Sequence, residues 1–200
     1  MSKVYIFGAG GHAHVIASFL KAEPVFVVDE PADPSVLSIS TYFDELPPGD
    51  AYIGIGSNTV RKRIAERLRA NGVNMPPCVA PTAFVARDAE LAGGAVVCAG
   101  AVIGSRCKIG RDTIVNTLSS VDHDCVLGEL SQVTAGVTFG GTVTVGSNCF
   151  FGIRSAIVPN RRIGSNAQIM AGSMVVSDID DDVLVGGNPA RLVRRLDAAA

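Results

Sequence analysis

The 200-residue chain contains no tryptophan, and only 6% of its residues are aromatic. A hydrophobic content of 48% must therefore be packed largely from small and branched aliphatic side chains. Basic residues are not in excess: 17 Lys and Arg face 19 Asp and Glu, a net charge of −2. That balance gives no positive field for a nucleic acid partner. No uninterrupted apolar stretch approaches the roughly 18 residues that suggest a spanning helix. The N-terminus, MSKVYIFGAGG, lacks the long apolar region and small-residue cleavage site of a secretion signal. The five cysteines (Cys78, Cys98, Cys107, Cys125, Cys149) are odd in number and form no CxxC. They fit neither a disulfide framework nor a zinc site. These absences together lead us to expect a cytoplasmic protein without a membrane span.

What is present is a repeat. From Val79 the chain divides into hexads without a gap, and the first positions are Val79, Val85, Leu91, Val97, Ile103, Ile109, Val115, Val121, Leu127, Val133, Phe139, Val145, Phe151, Ile157, Ile163, Ile169 and Val175. All are aliphatic or aromatic. The fifth positions are mostly small, as at Ala95, Cys107, Ser119, Cys125 and Cys149, and glycine often follows the first position. A large inward residue, a turn-tolerant segment and a small inward residue suit a coil of short strands. Three such strands close a triangular coil of about 18 residues, and coils stack at the strand spacing of about 4.8 Å. A left-handed parallel β-helix (hexapeptide repeat) is therefore expected for 79–200, with a C-terminal tail. Arg161 breaks the pattern at a fifth position; it must swing out or distort the coil, because a charge cannot sit unpaired in a dry corner.

Residues 1–78 carry no hexads. KVYIFG (3–8), VFVVDE (25–30) and AYIGIG (51–56) read as buried strands. HAHVIASFLKA (12–22) reads as a helix, and so does TVRKRIAERLRANG, capped by Asn58 or Thr59 and closed by Gly72. PADPSVLSIS (31–40) reads as a loop. Alternating strands and helices predict a parallel sheet, an α/β half-Rossmann domain over 1–78. GAGGHA (8–13) fits the glycine fingerprint that places phosphates near a helix start, with an acid about 20 residues on. The segment supplies one mononucleotide-binding half rather than two. That favours a nucleotide or nucleotide sugar over NAD.

The succession GAGGHA, IGIGSNTVRKRI, SSVDHDCVLG, NCFFGIRSAIVPN and GGNPARLVRRL resembles the bacterial sugar acyltransferase family, which includes bacillosamine, perosamine and sialic-acid acetyltransferases. The likeness covers essentially the whole chain. It implies a homotrimer, with acetyl-CoA as cosubstrate along the β-helix near a subunit interface and a nucleotide sugar against the N-terminal domain.

His123 stands between two aspartates at the third position of its hexad, the outer edge of a coil. Acetyl transfer from a thioester to an amine requires the bound ammonium to lose a proton, and a neutral imidazole suits that task. An adjacent carboxylate would steady the imidazolium. The resemblance gives these roles to His123 and Asp124, although Asp122 is equally close in sequence. Cys125 falls at an inward fifth position, where a thiol is poorly reactive, so no acetyl-enzyme is expected. The repeat holds one histidine, too few for a zinc site of about three histidines, so no metal is expected.

Gly140 and Gly141 are candidates for the oxyanion site. By resemblance, Ile153, Ala171 and Gly172 lie along the CoA pantetheine arm. Gln132 stands where the bacillosamine enzymes tend to carry a second histidine, a departure that puts its cofactor contact in doubt. Arg161, Arg162 and Arg191 are candidates for CoA phosphates. The resemblance maps Gly10, Gly11 and His12 to the sugar-phosphate loop and Asp29 to the nucleoside. Ser57, Asn58 and Arg61 match the nucleotide-contacting segment after the third strand. His14 is expected on the helix surface. The expected activity is N-acetylation of the 4-amino group of a nucleotide-linked 4-amino-4,6-dideoxy sugar, with UDP favoured over GDP or TDP. O-acetylation of sialic acid or another sugar and non-catalytic nucleotide-sugar binding are the alternatives.

Overall fold

The computed structural model describes residues 3–33 and 35–196. The chain divides into two compact units, Met1–Cys78 and Val79–Ala200.

The first unit contains strand β1 (Lys3–Phe7), helix α1 (Gly11–Ala17), β2 (Pro24–Val28), β3 (Leu37–Ser38), α2 (Ile39–Glu45), β4 (Gly49–Ile53) and α3 (Asn58–Ala70). The four strands pair in parallel in the order β3-β2-β1-β4. Tyr5, Phe7, Val27 and Ile53 from the sheet pack with Tyr42 of α2 and Ile64 and Leu68 of α3. The Tyr42 ring meets Tyr5 and Phe7 edge-on at 5.1 and 4.9 Å.

Several boundaries differ from the sequence reading. The segment 31–40 is not wholly a loop: β3 and the start of α2 occupy its end, with the Ser38 hydroxyl accepting the Thr41 N–H at 3.0 Å as a helix cap. Helix α1 stops at Ala17 rather than Ala22. Beyond it, Phe19 and Leu20 donate back three residues, to Ile16 and Ala17, and the chain tightens out of the α-helix. The cap of α3 is Ser57, not Asn58 or Thr59, and Gly72 beyond its end adopts φ +70°. β4 ends at Ile53 because the Ile55 and Gly56 carbonyls turn toward the Arg61 guanidinium.

The second unit is a left-handed parallel β-helix. Strands of two residues cover hexad positions six and one, and each pairs with the strand 18 residues on, as Lys108–Ile109 does with Val126–Leu127. Three faces result, of five, eight and six strands, and the chain visits them in that order in every coil. From Val97 to Val175 every first position is at most 3% exposed. The column loosens at its start: Val85 and Leu91 are half-buried, and Val79 is 38% exposed, short of the buried role its phase suggests.

Three features give the hexad its composition. The fourth position takes a left-handed backbone, at residues such as Arg106, Leu118, Asp124, Asn148 and Asn166. The glycine at position two is needed for proximity instead: a Cβ on Gly104 would lie 2.8 Å from the His123 nitrogen one coil on. The small fifth residue does more than fit. Its hydroxyl or thiol donates to the carbonyl 15 residues on, as Thr113 does to Gly128 (2.8 Å), Ser119 to Thr134 (2.7 Å) and Cys149 to Gly164 (3.0 Å). Carbonyls that the ladder leaves free at the corners are thus satisfied.

Arg161 swings out. Its carbonyl keeps the ladder, accepting the Thr144 N–H at 2.9 Å, while its Nε donates to the Pro159 carbonyl and Nη1 lies 3.8 Å from Asp178. A hairpin, Val183–Gly187 with Ala190–Arg195, extends the eight-stranded face after the last coil.

Candidate active site

His123 lies on the corner that follows the six-stranded face. Its side chain is 53% exposed. Nδ1 lies 2.7 Å from Asp124 Oδ2, so in the neutral ring the Nδ1–H donates and Nε2 carries the free lone pair. The backbone resolves the two aspartates. Asp122 turns back and accepts the His123 N–H through Oδ1 at 2.8 Å, whereas Asp124, at φ +59°, projects beside the ring. Arg106, in the same slot one coil earlier, grips Asp124 with Nε at 2.6 Å from Oδ1 and Nη2 at 2.8 Å from Oδ2. That fork, and then the His123 bond, hold the Asp124 carboxyl down to about 2. The Asp124 hydrogen bond and then the Asp122 charge raise the imidazole above its ordinary value, while Arg106 opposes the rise.

One coil further on, Gly141 occupies the third position that His123 fills below. A Cβ there would stand 2.6 Å from His123 Cε1 and Nε2; the ring occupies the space that only glycine leaves. At His123, Thr117, Ser147 and Ser165 the third-position N–H is taken by a side-chain oxygen. The Gly141 N–H has no partner among the described residues. The residue that carries this donor packs its Cα face against the free side of the imidazole. Gly140 is different: its N–H donates to Ile157 O, and a Cβ would collide with Pro159 at 2.6 Å.

Cys125 is fully buried beneath this corner, with Sγ 3.2 Å from the Gly140 carbonyl. The hydrogen bond to Cys107 and burial push its thiol far up, which leaves no accessible thiolate.

The remaining β-helix candidates lie elsewhere on the prism. Ile153 (56% exposed) and Ala171 share the corner that follows the eight-stranded face, and Gly172 donates to the Ile153 carbonyl at 2.8 Å. Nothing lies within 4 Å of a Cβ on Gly172. Gln132 is half-buried on the eight-stranded face, and Arg162 is exposed on the five-stranded one. Arg191, exposed on the terminal hairpin, helps line a cleft of about 510 Å³ with Val176, Asp178 and Leu192. That cleft does not include His123. Within one chain, therefore, the dyad and the Ile153–Ala171 corner are not brought together.

In the first unit, a Cβ added at Gly10 or Gly11 would meet nothing within 4 Å, and neither residue needs a left-handed backbone. The fold itself gives no reason for glycine at either position. His12 Nε2 is shielded without a partner, and burial and then the Arg61 charge lower its imidazole to about 4. It is neutral at pH 7. Asp29 is exposed just beyond β2, and Ser57 accepts Val60 N–H at 3.5 Å. His14 is exposed, its ring 4.9 Å from Phe26. Arg61 departs from expectation. It is 1% exposed, and its guanidinium donates to the Ile55 and Gly56 carbonyls and to Asn58 Oδ1. A side chain placed this way holds the Ile55–Asn58 loop. Arg106 is the site residue that sequence reasoning missed; the signal was its spacing of 18 from Asp124.

Among the described residues no cluster of His, Cys, Asp or Glu is arranged to hold a metal ion. No helix among them is long and apolar enough to cross a membrane.

Residues 3–68 match the family model described as PglD N-terminal domain. The chain is 30% identical over 148 residues to the GDP-perosamine N-acetyltransferase of Escherichia coli O157:H7, covering 72% of this chain and 67% of that protein. Among solved structures it resembles PerB from Caulobacter crescentus in complex with CoA and GDP-perosamine (TM-score 0.90, 30% identity, 96% of this chain and 97% of the other). It equally resembles the acetyltransferase domain of PglB from Neisseria gonorrhoeae in complex with acetyl coenzyme A (TM-score 0.91, 30% identity, 96% and 98%).

Proposed function

The chain belongs to the bacterial sugar acetyltransferase family, and from that membership we propose that it moves acetyl from acetyl-CoA to the 4-amino group of a nucleotide-linked 4-amino-4,6-dideoxy sugar. The observation that carries the reading is the clamped His123–Asp124 dyad, with the free side of the imidazole packed against Gly141, whose N–H has no partner among the described residues.

The reaction follows from those groups. His123 Nε2 takes a proton from the bound ammonium, and Asp124 steadies the imidazolium. The freed amine lone pair attacks the thioester carbonyl, and the Gly141 N–H donates to the developing oxyanion. Collapse breaks the C–S bond, the departing thiolate takes the proton held by the imidazolium, and the restored imidazole accepts the remaining extra proton of the new amide nitrogen and releases it to solvent. No residue is acetylated on the way.

The second element of the proposal is a homotrimer. Acetyl-CoA along Ile153, Ala171 and Gly172 lies at a different corner from His123 in the same chain. A neighbouring subunit supplies the second corner. Gln132, Arg162 and Arg191 remain candidates for outer parts of the cofactor. In the N-terminal unit, Gly10 and Gly11 leave room for diphosphate oxygens, neutral His12 offers an uncharged hydrogen-bonding ring, and Asp29 reads the nucleoside; Ser57 and Asn58 complete the loop that Arg61 holds. Similarity to two perosamine enzymes ranks a GDP-linked sugar ahead of the UDP-linked one expected from sequence.

Thiol release from acetyl-CoA tests the reading. Release is expected with GDP-, UDP- or TDP-linked 4-amino sugars and not with their 4-hydroxy counterparts. Release confined to hydroxyl acceptors points to O-acetylation, and none with any acceptor points to a binding protein.

A further inference from the structure

We propose that Arg106 is a positioning residue for the base: its fork fixes Asp124 so that the carboxylate holds His123 in one tautomer, with Nε2 free. The proposal rests on His123 being the base of the acetyl transfer set out above.

Arg106 and Asp124 are 18 residues apart in the fourth slot of successive coils, at φ +57° and +59°. Both side chains therefore leave the corner in the same direction. The two contacts, 2.6 and 2.8 Å, are bidentate, and Asp124 Oδ2 is shared between Arg106 Nη2 and His123 Nδ1. The clamp is itself anchored. Arg106 Nη1 donates to Ser105 Oγ at 3.3 Å, and Ser105 donates to Asp88 Oδ2 at 2.6 Å. A polar chain from Asp88 to His123 thus crosses three coils. An exposed ion pair contributes little to stability as a rule, so the value of this one is orientation. Without the fork, the Asp124 carboxylate is free to rotate and the ring to turn over.

The guanidinium has a second effect. The charged groups facing the ring among the described residues are Asp122, Asp124 and Arg106. Two carboxylates alone would leave the imidazole protonated to higher pH. The guanidinium opposes that rise, more weakly than the carboxylates drive it.

Imidazole ¹⁵N spectra test this directly, because the chain has only three histidines and His123→Asn identifies the signal. In the wild type, neutral His123 is expected as a single Nδ1–H tautomer. In Arg106→Gln both tautomers should be populated, and loss of the Asp124 bond, the main cause of the raised value, should move the titration midpoint to lower pH. Arg106→Lys keeps the charge without the fork, so its tautomers should mix as well. In the transfer assay, the acid limb of kcat/KM should follow the spectroscopic midpoint. The plateau kcat of Arg106→Gln should fall about tenfold, with KM for acetyl-CoA unchanged. A single tautomer and an unmoved midpoint in Arg106→Gln would overturn the clamp. Absence of transfer by the wild type would instead overturn the enzymatic reading, with the spectra still deciding the clamp.

Discussion

His123→Asn is expected to lower acetyl transfer by roughly 10²–10⁴-fold, the range that general acid–base groups supply, while nucleotide-sugar binding, followed by thermal shift, stays intact. Asparagine preserves much of the ring's footprint but cannot accept a proton near neutral pH. The native pH profile carries the same signature. Protonated imidazole cannot act as a base, and the Asp124 bond and the Asp122 charge raise its affinity for the proton. The acid limb of kcat/KM should therefore lie above the ordinary imidazole value of 6.5 and vanish in His123→Asn. Undiminished turnover would remove the base from the account.

The second large effect is expected from a single methyl group. Gly141→Ala places a Cβ 2.6 Å from two atoms of the imidazole. Residue 141 is not among the left-handed positions, so alanine suits its backbone and the fold should survive. The ring is what must move. Displacements of about 1 Å in a catalytic group can cost about 10²-fold, and a loss of that order is expected in kcat. Melting temperature should hold to within a few degrees, read by circular dichroism. A fully active Gly141→Ala would mean that the ring works from some other position.

The phase of the β-helix was legible because each first position from Val97 to Val175 obeys one simple demand, an apolar side chain in a dry prism. The corner chemistry was less legible. Glycine after the first position looks like a turn signal, yet Gly104 and Gly140 serve close approach between coils. Fifth-position Ser, Thr and Cys look merely small, yet their hydrogen bonds satisfy carbonyls 15 residues away. In the N-terminal unit α2 was missed, because it is only seven residues long and its cap, Ser38, is one of several serines scattered through 35–40. Arg61 matched the nucleotide-contacting segment, and only the structure shows it buried and donating to the Ile55 and Gly56 carbonyls and to Asn58.

The dyad illustrates the limit most clearly. Asp122 and Asp124 flank His123 symmetrically in sequence. The difference arises from backbone conformation at the corner, which sends Asp122 back to its neighbour's N–H and Asp124 out beside the ring. The stacking rule alone could have pointed to Asp124, since only that residue has a cation 18 positions earlier.

The claim on which the rest depends is that one chain's His123 works on a thioester held by another chain's Ile153–Ala171 corner. Mixed trimers test it. His123→Asn lacks the base, and Ala171→Trp blocks the groove at an exposed position. Each alone should be inactive. Unfolded and refolded together in equal amounts, they should regain about a quarter of wild-type thiol release, since random closed trimers pair an intact base with an intact groove at that frequency. Mixtures as inactive as either parent would contradict the account.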